Sequence, residues 1–225
     1  MNSLSHWWGN AGLQRKLQIL IQGFLIVILI AAQLWITAKV EERSMRAAED
    51  RTAIVADGVI NSLNTLMSTQ VEGHDVISDE KARALFISKM GVSDGLKELR
   101  VIRGKGNDEF GPGLAMERPV DALDQEVLAN GKTIYRALRD DKGGASLRAV
   151  IPYIAYKEFR TSRCLDCHAV AEGNVLGAVS VTTDISADID SIRRINLLIW
   201  AGQGGLQVVL FFVIQAIVRR QLRQL

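Results

Sequence analysis

Two long apolar runs bracket a central stretch in which the spacing of apolar residues changes several times. Leu17 to Thr37 (LQILIQGFLIVILIAAQLWIT) and Ile195 to Val218 (INLLIWAGQGGLQVVLFFVIQAIV) carry no charge. Each is about as long as the ~20 residues that span a bilayer. The first exceeds the apolar core of a signal peptide and is expected to be an uncleaved anchor. The chain thus divides into a tail (1–16), a span (17–37), a central domain (38–192), a second span (195–218) and a final tail (219–225).

After the first span, Val40 to Val71 has no proline and a single glycine. Ala56, Ile60, Leu63 and Met67 fall on one helical stripe, and Met45, Ala48, Val55, Val59 and Leu66 on a neighbouring one. This predicts a long helix leaving the membrane, with one stripe for its own domain and the other for a partner helix in a homodimer. Ser78 with Asp79 caps a short helix to Met90, and Asp121 to Ala129 is a helix stopped by Asn130-Gly131. Strands are expected at Glu98–Arg103, Thr133–Leu138, Ser146–Ala155 and Val175–Thr183, with a hairpin turn at Asp140–Gly144. Pro152 puts its strand at an edge or a bulge. Asp184 or Ser186 caps the helix that enters the second span. The expected class is α+β: an antiparallel sheet with helices on one side, after a long N-terminal helix and between two transmembrane helices.

Composition agrees with a membrane chain. Of 225 residues 48% are hydrophobic, and the mean hydropathy is +0.12. All four tryptophans, Trp7, Trp8, Trp35 and Trp200, lie in or beside the apolar runs, as interfacial aromatic belts require. A formal net charge of +2 gives no reason to expect a nucleic-acid partner. Arg15, Lys16, Arg219, Arg220 and Arg223 on one side nearly balance Lys39, Arg43, Arg193 and Arg194 on the other, so charge barely sets the orientation.

The chemistry concentrates in Cys164-Leu165-Asp166-Cys167-His168. This is C-x-x-C-H, the attachment sequence of a c-type haem: two thiols form thioethers and the following imidazole ligates the iron. It contains both cysteines of the chain. A thioredoxin-like pair lacks its βαβ setting, and zinc would have to draw on His6, His74 and His168 besides the two thiolates. Bacterial haem c is attached outside the cytoplasmic membrane, which sets residues 39–192 in the periplasm and both termini in the cytoplasm of an inner-membrane protein. Met67 reads either as core or as the sixth haem ligand. His74, Met90, Met116 and an open or water-bound position are the alternatives. Lys157, Arg160 and Arg163 lie near the motif and are candidates for the haem propionates. No nucleophile with a paired base and no glycine-rich phosphate loop is visible, so an enzyme is not expected.

ELRVIRGKGNDEFGPGL, LRAVIPYIA and CLDCHAVAEGNVLGAVSVTTDIS, with LNTLMSTQ at Leu63 to Gln70, resemble the haem-c-binding, PAS-like periplasmic sensor domains of bacterial methyl-accepting chemotaxis receptors and related sensor kinases. The resemblance covers about Leu63 to Ser186. It implies a PAS/Cache-like sheet and a homodimeric sensor of redox state or of a small gas (NO, CO or O2), with a cytoplasmic signalling partner. It carries one covalent haem c onto Cys164, Cys167 and His168, with Met67 matching the distal methionine. Such receptors continue into a cytoplasmic relay, whereas this sequence stops at Leu225. A stand-alone sensor, a truncated receptor and a membrane cytochrome with a periplasmic redox partner all remain open.

Overall fold

The structure, a computed structural model, describes residues 12–222 except Pro112, Lys142 and Thr161. His6, Trp7, Trp8 and Arg223 lie outside the described residues, as does most of the 1–16 tail. Two compact units form, one from Met1–Ser44 with Asp190–Leu225 and one from Met45–Ile189.

Helices α1 (Leu13–Ser68) and α4 (Ser186–Leu222) supply the first unit. Both are long and apolar enough to cross a membrane, with mean hydropathy of 2.5 and 2.0 in their most apolar windows. Trp35 and Trp200 are exposed there. Between the helices runs a polar ladder. Gln18 Nε2 donates to the Phe211 carbonyl (3.4 Å), Gln203 Nε2 to Gln33 Oε1 (3.2 Å), and Thr37 Oγ1 to Asn196 Oδ1 (3.2 Å). In an apolar surrounding such amides must face each other rather than lipid.

α1 runs unbroken because no proline interrupts it. It stops at Ser68, before the expected Val71. Ser62, Thr65, Ser68 and Thr69 each return a hydroxyl hydrogen bond to the carbonyl four residues earlier, a pattern that weakens a helix end. Glu72 (φ 53°) and Gly73 (φ 80°) then reverse the chain, pairing Gln70–Val71 with His74–Asp75.

The central unit holds a four-stranded antiparallel sheet of β1 (Leu96–Arg103), β2 (Ile134–Arg139), β3 (Ala145–Ile154) and β4 (Val175–Asp184), in the order β1-β4-β3-β2. The α+β class and the long N-terminal helix stand as expected; the placement of helices does not. They cover both faces. α1 and α2 (Glu80–Met90) pack Ala56, Val59, Ile60, Leu63 and Ile87 on Leu99, Val179 and Val181. α3 (Ala122–Asn130) packs Val127 on Ile102, Val150 and Ala178. Side chains alternate across a strand, and β4 offers small or apolar residues at both parities, so it is buried from Leu176 to Thr182.

The two stripes of α1 likewise merge into one buried face. Ala48 and Val59, assigned to the second stripe, are in the core, whereas Val55 is 37% and Ile54 71% exposed. Helical positions three and four apart share a face, so adjacent stripes need not serve separate partners.

Pro152 sits in β3, an interior strand, and is paired with Ala178. β2 ends opposite Val150, so the far side of Pro152 has no strand to bond. The expectation of an edge holds only locally. Asp184, not Ser186, ties off α4: its carboxylate accepts the Ser186 N–H at 2.8 Å, while the Ser186 hydroxyl accepts the Ala145 N–H at 2.9 Å.

α3 is fastened by charge. Asp121 caps it, Gly131 closes it at φ 66°, and fully buried Asp124 accepts from Arg100 (2.8 Å), Arg148 and the Val120 N–H (3.0 Å). Paired donors on every side are what make a buried carboxylate tolerable.

Candidate functional site

The segment Cys164–Asp166 forms one tight 3-10 turn. The His168 N–H donates to the Cys164 carbonyl at 3.0 Å, and the Cys167 N–H to the same oxygen at 3.3 Å. The three chemical residues of the motif are thereby held within one turn, as residues three and four apart in a helix are. Both thiols are free; Cys164 is buried and Cys167 exposed. Cys164 packs with Ala155 and Leu176, 4.0 Å from Tyr153 Oη. That phenol, pushed well above its ordinary pKa by burial and by Cys164, donates to Asn64 Oδ1 of α1 at 3.2 Å.

His168 is buried, 8% exposed, with its ring edge-on to Phe110 at 5.1 Å. Its Nδ1 has no hydrogen-bond partner. Glu109 Oε1 stands 3.8 Å away, beyond hydrogen-bond range, and accepts the Ala169 N–H at 3.1 Å. Burial lowers the imidazole pKa, opposed by Glu109 and the Gly106 backbone and aided by Arg103. That direction favours the neutral ring, the form that ligates metals.

His168 and Cys167 line a cavity of about 280 Å³, and so does Met67, from the last turn of α1. Leu63, Val101, Leu176 and Val179 make its walls mostly apolar. Gly177 is required in the floor, because a Cβ there would lie 2.5 Å from the Ile102 carbonyl oxygen. Among the other candidate ligands, His74 is exposed in the turn after α1, Met90 packs on the α1 core cluster, and Met116 is 47% exposed. None of the three lines this cavity. Among the described residues, no group of three or more His, Cys, Asp or Glu side chains is placed to hold a metal ion.

The expected propionate partners lie elsewhere. Lys157 is exposed, and its N–H donates to Glu172. Arg163 pairs with Asp166 at 3.3 Å. Arg160 pairs with Asp57 and donates to Asn61 Oδ1 at 2.6 Å. The cavity instead contains two arginines distant in sequence, Arg83 and Arg103. Arg83 is bound to Glu117 (2.6 Å) and the Ile77 carbonyl (2.6 Å). Arg103 donates to the Asn107 carbonyl and keeps a buried Nε without an acceptor. No sequence signal marks either one, since each is a single charge in a helix or strand whose neighbours are decided by the fold.

Cys167, the buried imidazole of His168 with its orphaned Nδ1 and the Met67 thioether share the apolar cavity, and Cys164 lies in the same turn but packs into the core beside it. Imidazole, two thiols and a thioether are the donor types that fit a covalently attached haem c. No family model matches the sequence, and no curated protein matches it significantly.

Proposed function

We propose that this chain is a membrane-anchored haem c sensor rather than an enzyme. Cys164 and Cys167 would hold one haem c per chain, His168 would be its proximal ligand, and Met67 its sixth ligand in at least one redox state. The central domain, of PAS/Cache-like fold in this reading, lies in the periplasm of a bacterial inner membrane with both termini in the cytoplasm. Two copies form the working unit, and a cytoplasmic partner receives the signal in the manner of a chemoreceptor. The carrying observation is that Met67 and His168 share one cavity with Cys167.

When bound, the haem would supply a redox couple and a binding site for a small gas such as NO, CO or O2. The chain's own part is to keep His168 buried, to shut water out with Leu63, Leu176 and Val179, and to offer a thioether from the end of α1. Thioether ligation is weak enough to be exchanged, so α1 would feel a change at the site. The test is an absorption spectrum of purified protein, oxidised, reduced and with CO. A haem c spectrum in which CO replaces a native ligand supports sensing. Absence of covalent haem refutes the reading.

Exposed Cys167 favours a second reading, a membrane cytochrome passing electrons to a periplasmic redox partner. A spectrum unmoved by CO in both redox states selects it.

A further inference from the structure

Arg160 adopts a left-handed backbone, φ 48°, a conformation that costs a non-glycine residue energy and persists only where surroundings impose it. It lies in the loop between β3 and the C-x-x-C-H turn, where Phe159 and Ser162 exchange backbone hydrogen bonds of 2.7 and 2.9 Å. That tight turn directs the guanidinium away from the cavity and onto α1. There it pairs with Asp57 and donates to Asn61 Oδ1 at 2.6 Å, with its own neighbour Phe159 beneath the guanidinium at 4.9 Å.

A second tie runs alongside. Tyr153 Oη donates to Asn64 at 3.2 Å and stands 4.0 Å from the Cys164 sulfur, and the Tyr153 ring meets Phe159 edge-on at 5.9 Å. Asp57, Asn61 and Asn64 are spaced by four and three residues and so share one face of α1. It is a polar strip beside the apolar face that packs on the sheet. Polar side chains are held there because Arg160 of the loop before the haem-attachment turn and Tyr153 of β3 supply their partners.

We propose that Arg160 and Tyr153 form a strap that fastens the Cys164–His168 turn to the Asp57–Asn61–Asn64 strip of α1, and that this strap carries the state of the site into the helix. The inference rests on the haem reading above and adds a route independent of Met67. Ligation by Met67 would act on the last turn of α1. The strap acts one to three turns earlier, through Arg160, which does not line the cavity, and Tyr153, which lines it beside the Cys164 sulfur. A displacement of the turn would load the strained Arg160 linkage, because interlocked contacts shift between discrete arrangements rather than stretch.

The test uses full-length protein in lipid nanodiscs, with hydrogen–deuterium exchange read over residues 54–66 in oxidised and reduced states. Wild type should exchange differently in the two states. Arg160→Gly relieves the backbone while removing the guanidinium. It should abolish that difference and leave the haem spectrum and the thioethers unchanged. Tyr153→Phe should reduce it, and Arg160→Lys should retain part. Met67→Leu should leave a redox-dependent difference at Asp57–Asn61 that Arg160→Gly removes. The strap is overturned if Arg160→Gly keeps the full difference, or if wild type shows none. A preparation without covalent haem overturns the underlying reading and the strap together, and the spectrum separates that case from the others.

Discussion

Met67 and His168, far apart in the chain, line the same cavity. One ends the long helix and the other closes the C-x-x-C-H turn, so any group held between them would join the two. Substituting Met67 by Ala should therefore change the ligand field, not merely the packing. The oxidised protein should lose its weak near-infrared sulfur-to-iron band and bind CO faster. An unchanged spectrum in both redox states would reduce Met67 to a core residue.

Covalent attachment is the plainest expectation. Haem should stay with denatured protein through acidic acetone extraction, because thioethers survive where axial bonds do not. Cys164→Ala or Cys167→Ala should sharply lower the amount retained, as read by in-gel peroxidase staining. Full extraction from wild type contradicts the assignment.

The Arg83–Glu117 pair is nearly buried, with side chains 11% and 5% exposed. Removing one partner leaves an uncompensated charge in the cavity wall and should cost about 3–5 kcal/mol. Arg83→Met alone should lower the unfolding midpoint far more than Arg83→Met with Glu117→Leu, measured by urea denaturation in detergent. Equal losses would show that the charge pairing is not the cause.

Acid should loosen the central domain in a defined direction. Asp121 is held below the usual carboxylate range first by the Arg148 guanidinium, and Asp184 by the Ser186 backbone N–H. Carboxylates with lowered native pKa contribute stability that is present above the unfolded value, about 4. It disappears as pH falls through the depressed native values. The unfolding midpoint should fall below about pH 4, and Asp121→Asn should flatten part of that decline.

Dimer contacts, if they form along α1, must use what the domain leaves exposed. Cysteine at Ile54 or Val55 should crosslink between copies in membranes. Cysteine at Val59, which is fully buried, should destabilise the domain without crosslinking. Crosslinking at Val59 equal to that at Val55 would mean that α1 leaves this core in the dimer.

Gln33 is fully buried between the two apolar helices and takes part in hydrogen bonds with Thr37 and Gln203. Gln33→Leu should weaken their association by about 0.6 kcal/mol, at most ~1.7. The unfolding midpoint of the full chain in detergent reads this loss, and an unchanged midpoint would contradict it.

Several features were legible because they depend on neighbours in sequence. Two uncharged runs mark the membrane-length helices, Asp79 and Asp121 announce helix starts, Gly131 announces a stop, and the C-x-x-C-H spacing places three reactive groups in one turn. Each is a matter of local geometry, in which the backbone repeat alone brings the residues together. Tertiary packing decided the rest. Whether Val59 met a partner or its own sheet depended on merging stripes. Helices cover both faces because β4 is apolar at both parities. Arg160 turned to α1 rather than to the cavity, and Arg83 and Arg103 entered it, because a long charged side chain takes its partner from the fold around it. A periodic pattern reports which face of an element is apolar. Only the assembled sheet determines what that face, or a lone charge beside it, will touch.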